Sequence, residues 1–307
     1  MELIFLGTGA GIPSPERNVT AVALALNEER GTFWLFDCGE ATQHQIMRSP
    51  LKLSRLEYIF ITHLHGDHIY GLPGLLSSRS YHGGTTPLTI FGPAGLARFI
   101  ETSLQVSGSH LDYELRIEEL QEGVIFEDEQ FTISCARLEH RIDSYGYRIV
   151  EHDLPGRLDR DRLIADGILP GPIYQQIKLS KEPIAYEGRL LDPKRYVGPD
   201  IPGRKLAILG DTRPAPNALQ LAQTVDVLVH EATFAEAEAE LARRYYHTTT
   251  RQAAEIAAQA GAGELILTHF SSRYNREDLA WLIQEASRYH KPVYAAYDGY
   301  QHPIPRK

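Results

Sequence analysis

The chain has 307 residues, a formal net charge of −9 and only two cysteines, Cys38 and Cys135. Its length allows a sizeable core, and its 43% hydrophobic and 23% charged content is that of a globular protein. The acidic balance argues against a nucleic-acid partner, although net charge does not describe one face of a protein, and bound cations would reverse the local sign. The isolated cysteines and the short N-terminal apolar run exclude a disulfide framework and a signal peptide, so we expect a cytoplasmic protein without a membrane partner.

The first half of the chain predicts mainly strands. Short apolar runs alternate with turn residues in ELIFLG (2–7), AVALAL (21–26), TFWLFDCG (32–39), LEYIFITH (56–63) and LTIFG (88–92). A helix between Gly95 and Gly108 follows, and then strands within 123–140 and 145–152. The last third alternates predicted strands (205–211, 226–233, 264–269 and 293–298) with predicted helices (217–223, 248–262 and 276–290). This alternation predicts an α/β fold in which helices cover sheets.

The stretch from Glu151 to Gly203 does not fit the alternation. It is rich in proline and glycine and poor in long apolar runs, as functional excursions and linkers are. Within it, residues 176–195 carry five basic side chains against three acidic ones. Composition alone leaves a functional excursion and a solvated insertion equally open.

The LGTGAG segment (6–11) follows the first predicted strand but does not predict a dinucleotide site. The fingerprint requires a third glycine where this chain has Ile12. A tight turn that brings the backbone close to a site is the better use of these glycines.

The segment ITHLHGDH (61–68) is the strongest signal in the chain. His63 and His65 are two residues apart, so on an extended loop both can face one ion. Asp67 and His68 can turn toward a second ion as the chain enters a predicted helix over 70–76. Imidazole and carboxylate together suit zinc, with manganese as the alternative. Four such residues in six positions disfavour buried structural histidines.

The same pattern recurs farther along the chain, where apolar strands end in a potential ligand. Such ends lie at His140, Asp211, His230–Glu231 and His269. Because strand ends on one rim of a sheet bring distant parts of the sequence together, we expect these side chains to share one site.

The His-x-His-x-Asp-His motif with a later His, Asp and His resembles the metallo-β-lactamase superfamily of binuclear hydrolases. The resemblance implies an αββα sandwich over 1–307 as a single domain, with two Zn²⁺ ions per subunit on its rim. It implies the ligands of the ions as well: His63, His65 and His140 for one, Asp67, His68 and His269 for the other, and Asp211 as the bridge.

Three further motifs are similar to those of the ribonuclease Z family, which processes the 3′ end of tRNA: ERNVT (16–20), HEAT (230–233) and HTT (247–249). This resemblance implies a hydrolase that cuts precursor tRNA after the discriminator nucleotide, leaving a 3′-hydroxyl on the tRNA and a 5′-phosphate on the trailer. It also implies a homodimer and makes 151–203 an inserted flexible arm that grips tRNA around Gly171 and Pro172.

The resemblance suggests roles for individual residues. Asp67 would be the general base for the attacking water, and His247, oriented by Glu231, would protonate the leaving 3′ oxygen; a surface histidine beside a helix cap is the alternative for His247. Arg17 and Asn18 would contact the substrate, and Arg273 would bind a phosphate or be an ordinary surface arginine. Pro15 replaces a lysine of the family's loop, so rejection of precursors that already carry CCA is in doubt.

Two rival functions remain open. A hydrolase of small esters or thioesters with the same fold would use the same ligands, but it would not need a long excursion. An RNA-binding member that has lost its metals would not retain every ligand position.

Overall fold

Two seven-stranded sheets pack face to face in the computed structural model, which describes all 307 residues. The first sheet contains β1 (Glu2–Gly7), β2 (Ala21–Leu26), β3 (Thr32–Phe36), β4 (Leu56–Phe60), β5 (Leu88–Gly92) and β6 (Leu115–Glu119). Its helices are α1 (Thr42–Met47), α2 (Gly66–Ile69), α3 (Leu72–Tyr81) and α4 (Leu96–Ser107). The predicted strands of the first half and the helix that ends at Gly108 are therefore confirmed.

The second sheet begins with the antiparallel strands β7 (Gly123–Glu127), β8 (Phe131–Leu138) and β9 (Ser144–Glu151). The excursion follows, with α5 (Arg160–Ala165), α6 (Pro172–Leu179), β10 (Ile184–Tyr186) and β11 (Arg189–Leu191). The rest comprises β12 (Lys205–Leu209), α7 (Pro216–Ala222), β13 (Val227–Glu231), α8 (Ala239–Tyr245), α9 (Thr250–Ala260), β14 (Glu264–Thr268), α10 (Leu279–Ala286), β15 (Val293–Ala295) and β16 (Gln301–Pro303). The last strand, β16, crosses over to pair with β1 in the first sheet.

Three hydrophobic clusters explain the four layers. One lies between the sheets and includes Trp34, Phe60 and Tyr147. The other two lie on the outer faces, where one sheet packs against α1, α3 and α4 and the other against α7, α9 and α10. Because the inner strands of each sheet are buried on both faces, strands such as β2, β12 and β13 are continuous apolar runs rather than alternating ones. The predicted αββα sandwich is confirmed.

The helix predicted over 70–76 begins only at Leu72, after a break at Tyr70 and Gly71. A Cβ atom on Gly71 would lie 2.1 Å from the carbonyl oxygen of Gly39, so the chain can pass here only as glycine. The break leaves the short helix α2 free to carry Asp67 and His68 at the rim of the sandwich.

The arm, residues 151–203, is a small folded unit of its own. Its core consists of five buried residues: Leu163, Ile168, Ile177, Leu191 and Tyr196. Isolated bridges pair Leu154 with Ile201 and Leu158 with Val197, so the arm leaves and returns along one narrow base. The sequence does not predict these elements, because they are short and their apolar residues are scattered. The predicted flexibility of the arm stays a prediction.

No helix of the structure has both the length and the apolar content that a membrane crossing requires.

Candidate metal centre

The predicted ligands meet at one rim of the sandwich, where several strands end. The loop after β4 supplies His63 and His65, and α2 supplies Asp67 and His68. The second sheet contributes His140 after β8, Asp211 after β12 and His269 after β14. Because β12 and β14 run parallel to β13 between them, their carboxyl ends lie on the same edge. The structure therefore brings these residues together as the strand-end argument predicts.

Two groups of potential ligand atoms face each other. The first contains His63, His65, His140 and Asp211, and the second contains Asp67, His68 and His269; within each group the ligand atoms lie within 4.8 Å of one another. In the first group the Nδ1 atom of His65 lies 2.9 Å from His63 Nε2 and 3.2 Å from His140 Nε2.

Asp211 connects the two groups through its two carboxylate oxygens. Its Oδ2 lies 3.6 Å from His63 Nε2, whereas its Oδ1 lies 3.5 Å from His68 Nε2 and 3.3 Å from His269 Nε2. The Oδ2 atom of Asp67 lies 3.5 Å from both His68 Nε2 and His269 Nε2. This arrangement suits two cations that share one bridging carboxylate.

Hydrogen bonds at Nδ1 aim four of the imidazoles. His68 donates to Asp37 over 2.7 Å, and His140 donates to the carbonyl oxygen of Tyr246 over 2.9 Å. In the same way Nδ1 of His63 lies 3.0 Å from Thr62 Oγ1, and Nδ1 of His269 lies 3.0 Å from Thr233 Oγ1.

These bonds fix which ring nitrogen is free. A histidine whose Nδ1 donates to an oxygen carries its lone pair on Nε2, the atom that would bind a metal. His65 is the exception, since its Nδ1 faces the cluster. Hydrogen bonding therefore points the Nε2 atom of each of the other four rings toward the centre.

The residues fit a pair of divalent cations. The Nε2 atoms of His68 and His269 are fully buried and have no hydrogen-bond partner, a cost that a metal bond would remove. Imidazole and carboxylate ligands are the set that zinc prefers. A cation bound between these two unpartnered nitrogens would satisfy both of them.

The electrostatics favour a cation as well. Burial alone would raise the pKa of Asp211, but the imidazoles of His269 and His68 hold it well below its ordinary value. Burial also opposes charge on Asp67, whose pKa is nevertheless lowered by His68 and His269. In contrast, burial lowers the pKa of His63, which favours the neutral ring that metal binding requires. The lowered pKa values of Asp211 and Asp67 mean that both carboxylates are ionised.

Glu231, which is buried, and His247, which is partly exposed, form a pair beside the two groups. Nδ1 of His247 donates to Oε1 of Glu231 over 2.9 Å. The amides of Thr212 and Thr248 donate to the same oxygen, so the carboxylate is fixed. Burial opposes a charge on His247, but Glu231 raises the pKa of His247 to about 9. The pair places a protonated imidazole at the edge of the cluster.

Backbone strain is concentrated at this centre. Of the six non-glycine residues with positive φ, three belong to it: Asp37 (59°), Tyr246 (61°) and His269 (57°). Such conformations cost free energy and persist at sites where the surrounding structure enforces them. Tyr246 is the C-terminal cap of α8. Its positive φ turns the chain so that its carbonyl oxygen accepts from His140 and His247 follows beside the ligand cluster.

The side chains of Arg17 and Asn18 are hydrogen-bonded to carbonyl oxygens of the protein's own backbone. Arg17 is 4% exposed, donates to the carbonyl oxygens of Tyr274 and Asn275, and lies over the ring of Phe270. Asn18 donates through its side chain to the carbonyl oxygen of Glu40. A contact with the substrate would have to break these bonds, so their binding role stays a prediction.

The other predicted contacts are accessible. Gly171 and Pro172 are exposed at the start of α6 in the arm, on a different part of the chain from the ligand cluster. Arg273 lines the same cleft as the ligands, where it pairs with Glu238 and lies over the ring of Phe234. His230 is buried and belongs to neither ligand group, because its Nδ1 donates to the carbonyl oxygen of Glu231; the expectation that it shares the site is wrong.

Sequence reasoning missed four residues of the site. Asp37 orients His68 and Thr62, and Thr233 connects Glu231 to His269. Asp37 follows an apolar strand, so the rule applied to the other strand ends would have found it. Phe234 and Tyr245 line the cleft, which has a volume of about 410 Å³, and carry no motif of their own.

Comparisons with known proteins agree with this geometry. A family model described as the Anti-Pycsar protein Apyc1 matches residues 1–155, and a model described as a beta-lactamase superfamily domain matches residues 195–270. The chain is 58% identical to the ribonuclease Z of Anoxybacillus flavithermus, over all of this chain and 98% of that protein. It is 56% identical to the ribonuclease Z of Geobacillus kaustophilus over the full length of both.

Solved structures give the same result. The short form of human tRNase Z matches with a TM-score of 0.73 and 33% identity, over 99% of this chain and 100% of that one. The metallo-beta-lactamase fold protein YhfI from Bacillus subtilis matches with a TM-score of 0.67 at 19% identity, over 98% of both chains, which supports the fold alone.

Proposed function

The chain belongs to the ribonuclease Z family, and from this premise we propose that it is a zinc-dependent endoribonuclease that cuts tRNA precursors on the 3′ side of the discriminator nucleotide. The cut leaves a 3′-hydroxyl on the tRNA and a 5′-phosphate on the trailer. The observation that carries the proposal is the placement, in one cleft, of two ligand groups joined by Asp211 and of the Glu231–His247 pair beside them.

Two Zn²⁺ ions would be held by the residues of the two groups, with manganese as the alternative. His63, His65 and His140 would hold one ion, Asp67, His68 and His269 the other, and Asp211 would bridge them. When bound, the ions supply an activated water and neutralise charge that develops on the phosphate.

Asp67 is suited to receive the proton of the attacking water. Its Oδ2 accepts a hydrogen bond of 2.7 Å from the amide of Gly11, in the glycine-rich turn, and its side chain reaches the cleft. Its lowered pKa keeps the carboxylate ionised at neutral pH. Asp67 is therefore in the unprotonated form that a general base requires over the whole neutral range.

His247 is suited to protonate the leaving 3′ oxygen. Its Nδ1 is held by Glu231, so Nε2 is the remaining donor of a ring that lines the cleft. We expect His247→Ala to slow cleavage of a tRNA precursor by about 10²- to 10⁴-fold, because a ribose oxygen is a poor leaving group without a proton. Hydrolysis of bis(p-nitrophenyl) phosphate should change little, since p-nitrophenolate leaves without protonation. Equal losses on both substrates would contradict the assignment.

The arm is suited to bind tRNA. Lys178, Lys181 and Lys194 are exposed there and take part in no ion pair, whereas Arg195 pairs with Asp166. Free cations of this kind bind phosphates with a salt-sensitive affinity. The protein would act in the cytoplasm as a homodimer in which the arm of one subunit presents tRNA to the other, with Gly171 and Pro172 at the contact.

The deciding experiment is cleavage of a 3′-extended tRNA precursor, with products mapped at nucleotide resolution. Wild type, Asp67→Ala and His247→Ala would each be tested on substrates with and without CCA. A single cut after the discriminator, lost in Asp67→Ala, supports the proposal, and equal cutting of the CCA substrate would link Pro15 to lost discrimination. Hydrolysis of a small ester with an intact precursor would instead support the rival hydrolase.

A further inference from the structure

The end of α8 carries an aromatic side chain that the metal chemistry does not use. Tyr245 is 42% exposed although it lines the same cleft as the ligand cluster. An exposed aromatic side chain at the mouth of a site offers a flat face to a planar ligand.

Neighbouring residues hold this ring in place. Phe234 stacks beside it with ring centroids 6.4 Å apart and an interplanar angle of 25°. The guanidinium groups of Arg141 and Arg244 lie 5.3 Å and 5.7 Å from the centre of the Tyr245 ring. Arg141 in turn donates to the carbonyl oxygen of Arg244 over 3.2 Å.

This combination matches one class of ligand. Single-stranded nucleic acids are bound by aromatic rings that stack on bases, beside cations that attract the phosphates. A ring that only filled a gap in the core would be buried and would not be flanked by exposed arginines.

The position of the Tyr245 ring indicates which nucleotide of the substrate it would contact. Tyr245 comes two residues before His247, and Phe234 contacts both rings, with a centroid distance of 6.1 Å to His247. In the proposed function His247 protonates the leaving oxygen, and this oxygen belongs to the last nucleotide of the tRNA.

We propose that Tyr245 is the stacking platform for the base of the discriminator nucleotide, with Phe234 as its support and Arg141 as the cation beside it. Stacking fixes the last nucleotide of the tRNA and so places its 3′ oxygen next to His247. Because purines stack more strongly than pyrimidines, the platform favours a purine at this position. The inference rests on the proposed function.

The test is a double-mutant cycle between the protein and the substrate, which isolates the pairwise interaction. Wild type, Tyr245→Ala and Tyr245→Phe would be compared by kcat/KM on three precursors: one intact, one abasic at the discriminator and one abasic at the first trailer nucleotide. Tyr81→Ala is the matched control, since Tyr81 is 90% exposed at the end of α3 and does not line the cleft.

We expect Tyr245→Ala to lower kcat/KM on the intact precursor by roughly 5- to 30-fold. The loss should vanish on the substrate without a discriminator base and persist on the one abasic in the trailer. Tyr245→Phe and Tyr81→Ala should stay within about 2-fold of wild type. The zinc content of every variant should equal that of wild type, which a damaged site would not allow.

Two results would overturn the inference while leaving the proposed function intact. One is the same loss on the intact and the discriminator-abasic precursors, and the other is coupling to the trailer nucleotide instead. Failure of the wild type to cut any precursor, with hydrolysis of the small diester retained, would overturn the proposed function and this inference together.

Discussion

The metal centre and the arm are built in opposite ways. At the centre the ligands are held by the body of the sandwich, and hydrogen bonds that the histidines donate to Asp37, Thr233 and the carbonyl of Tyr246 fix the rings. The arm has a core of five buried residues, and its lysines are exposed and free of ion pairs.

The metal centre and the arm are suited to two different tasks. Chemistry at a phosphate needs ligands placed to within a fraction of an ångström, which rigid strand ends provide. Gripping a large, highly charged substrate needs reach and cations more than precise placement. If this division is correct, damage to the centre should stop every reaction, whereas damage to the arm should affect only the large substrate.

The largest effect is expected from loss of the bridging carboxylate. Asp211→Ala removes the one residue that faces both ligand groups, so both ions should bind poorly. We expect activity on a tRNA precursor and on bis(p-nitrophenyl) phosphate to fall alike, by at least about 10³-fold. Metal content after gel filtration should fall in parallel. Retention of the small-substrate activity would show that Asp211 does not bridge.

The arm gives the next largest effect and the sharpest contrast. Because Leu158 pairs with Val197, residues 159–196 can be replaced by an Asn-Gly turn at the base of the arm. We expect kcat/KM on the precursor to fall by about 100-fold or more, with the small diester hydrolysed as by wild type. Loss of both activities would mean that the arm also supports the centre.

A milder variant tests the charge of the arm alone. Changing Lys178, Lys181 and Lys194 to glutamine keeps its core and removes three free cations. The slope of log KM against log salt concentration should become shallower than in wild type, as expected when phosphate contacts are lost. An unchanged slope would exclude these lysines from tRNA binding.

The sequence predicted the centre better than the arm, for a physical reason. Ligands such as His63, Asp211 and His269 follow apolar runs that can only be buried strands, so their meeting at one rim follows from sheet geometry. The arm elements α5, α6, β10 and β11 are each eight residues or shorter and share a core of five residues. Periodicity over such short spans cannot be distinguished from loop composition.

Residues that orient others were also beyond the sequence. Thr233 is part of the HEAT motif, but its contacts with Glu231 and His269 depend on the way β13 and β14 align. The positive φ angle of Tyr246 is likewise set by tertiary contacts, since tyrosine does not favour it. Such features become visible only when the strands are in place.

A moderate effect is expected from the residue that orients His68. Asp37→Asn keeps the size of the side chain and tolerates the positive φ, but it removes the carboxylate that accepts from His68 and Thr62. Zinc affinity, measured by competition with a chromophoric chelator, should fall by about 10- to 100-fold. Glu57→Gln is the matched control, because Glu57 also accepts from two side chains of the first sheet, Thr32 and Trp34, and contacts no ligand. Equal affinities of the two variants would contradict the role of Asp37.

The smallest effect concerns the base of the arm, where Glu151 and Arg204 form a buried ion pair of 2.7 Å. Burial opposes the charge on Glu151, but Arg204 and Arg306 lower its pKa to about 2, from an ordinary value of 4.5. A carboxyl group whose pKa is lowered in the folded state stabilises the fold at pH values above its pKa in the unfolded state. This stabilisation is lost as the pH falls from about 5 toward 2. Glu151→Gln should therefore lower Tm by roughly 5 °C at pH 7, and the deficit should shrink as the pH falls through that window. Metal-site carboxylates titrate in both proteins, so the difference between the two Tm curves isolates Glu151. A deficit that does not depend on pH would mean that the side chain acts by packing rather than by charge.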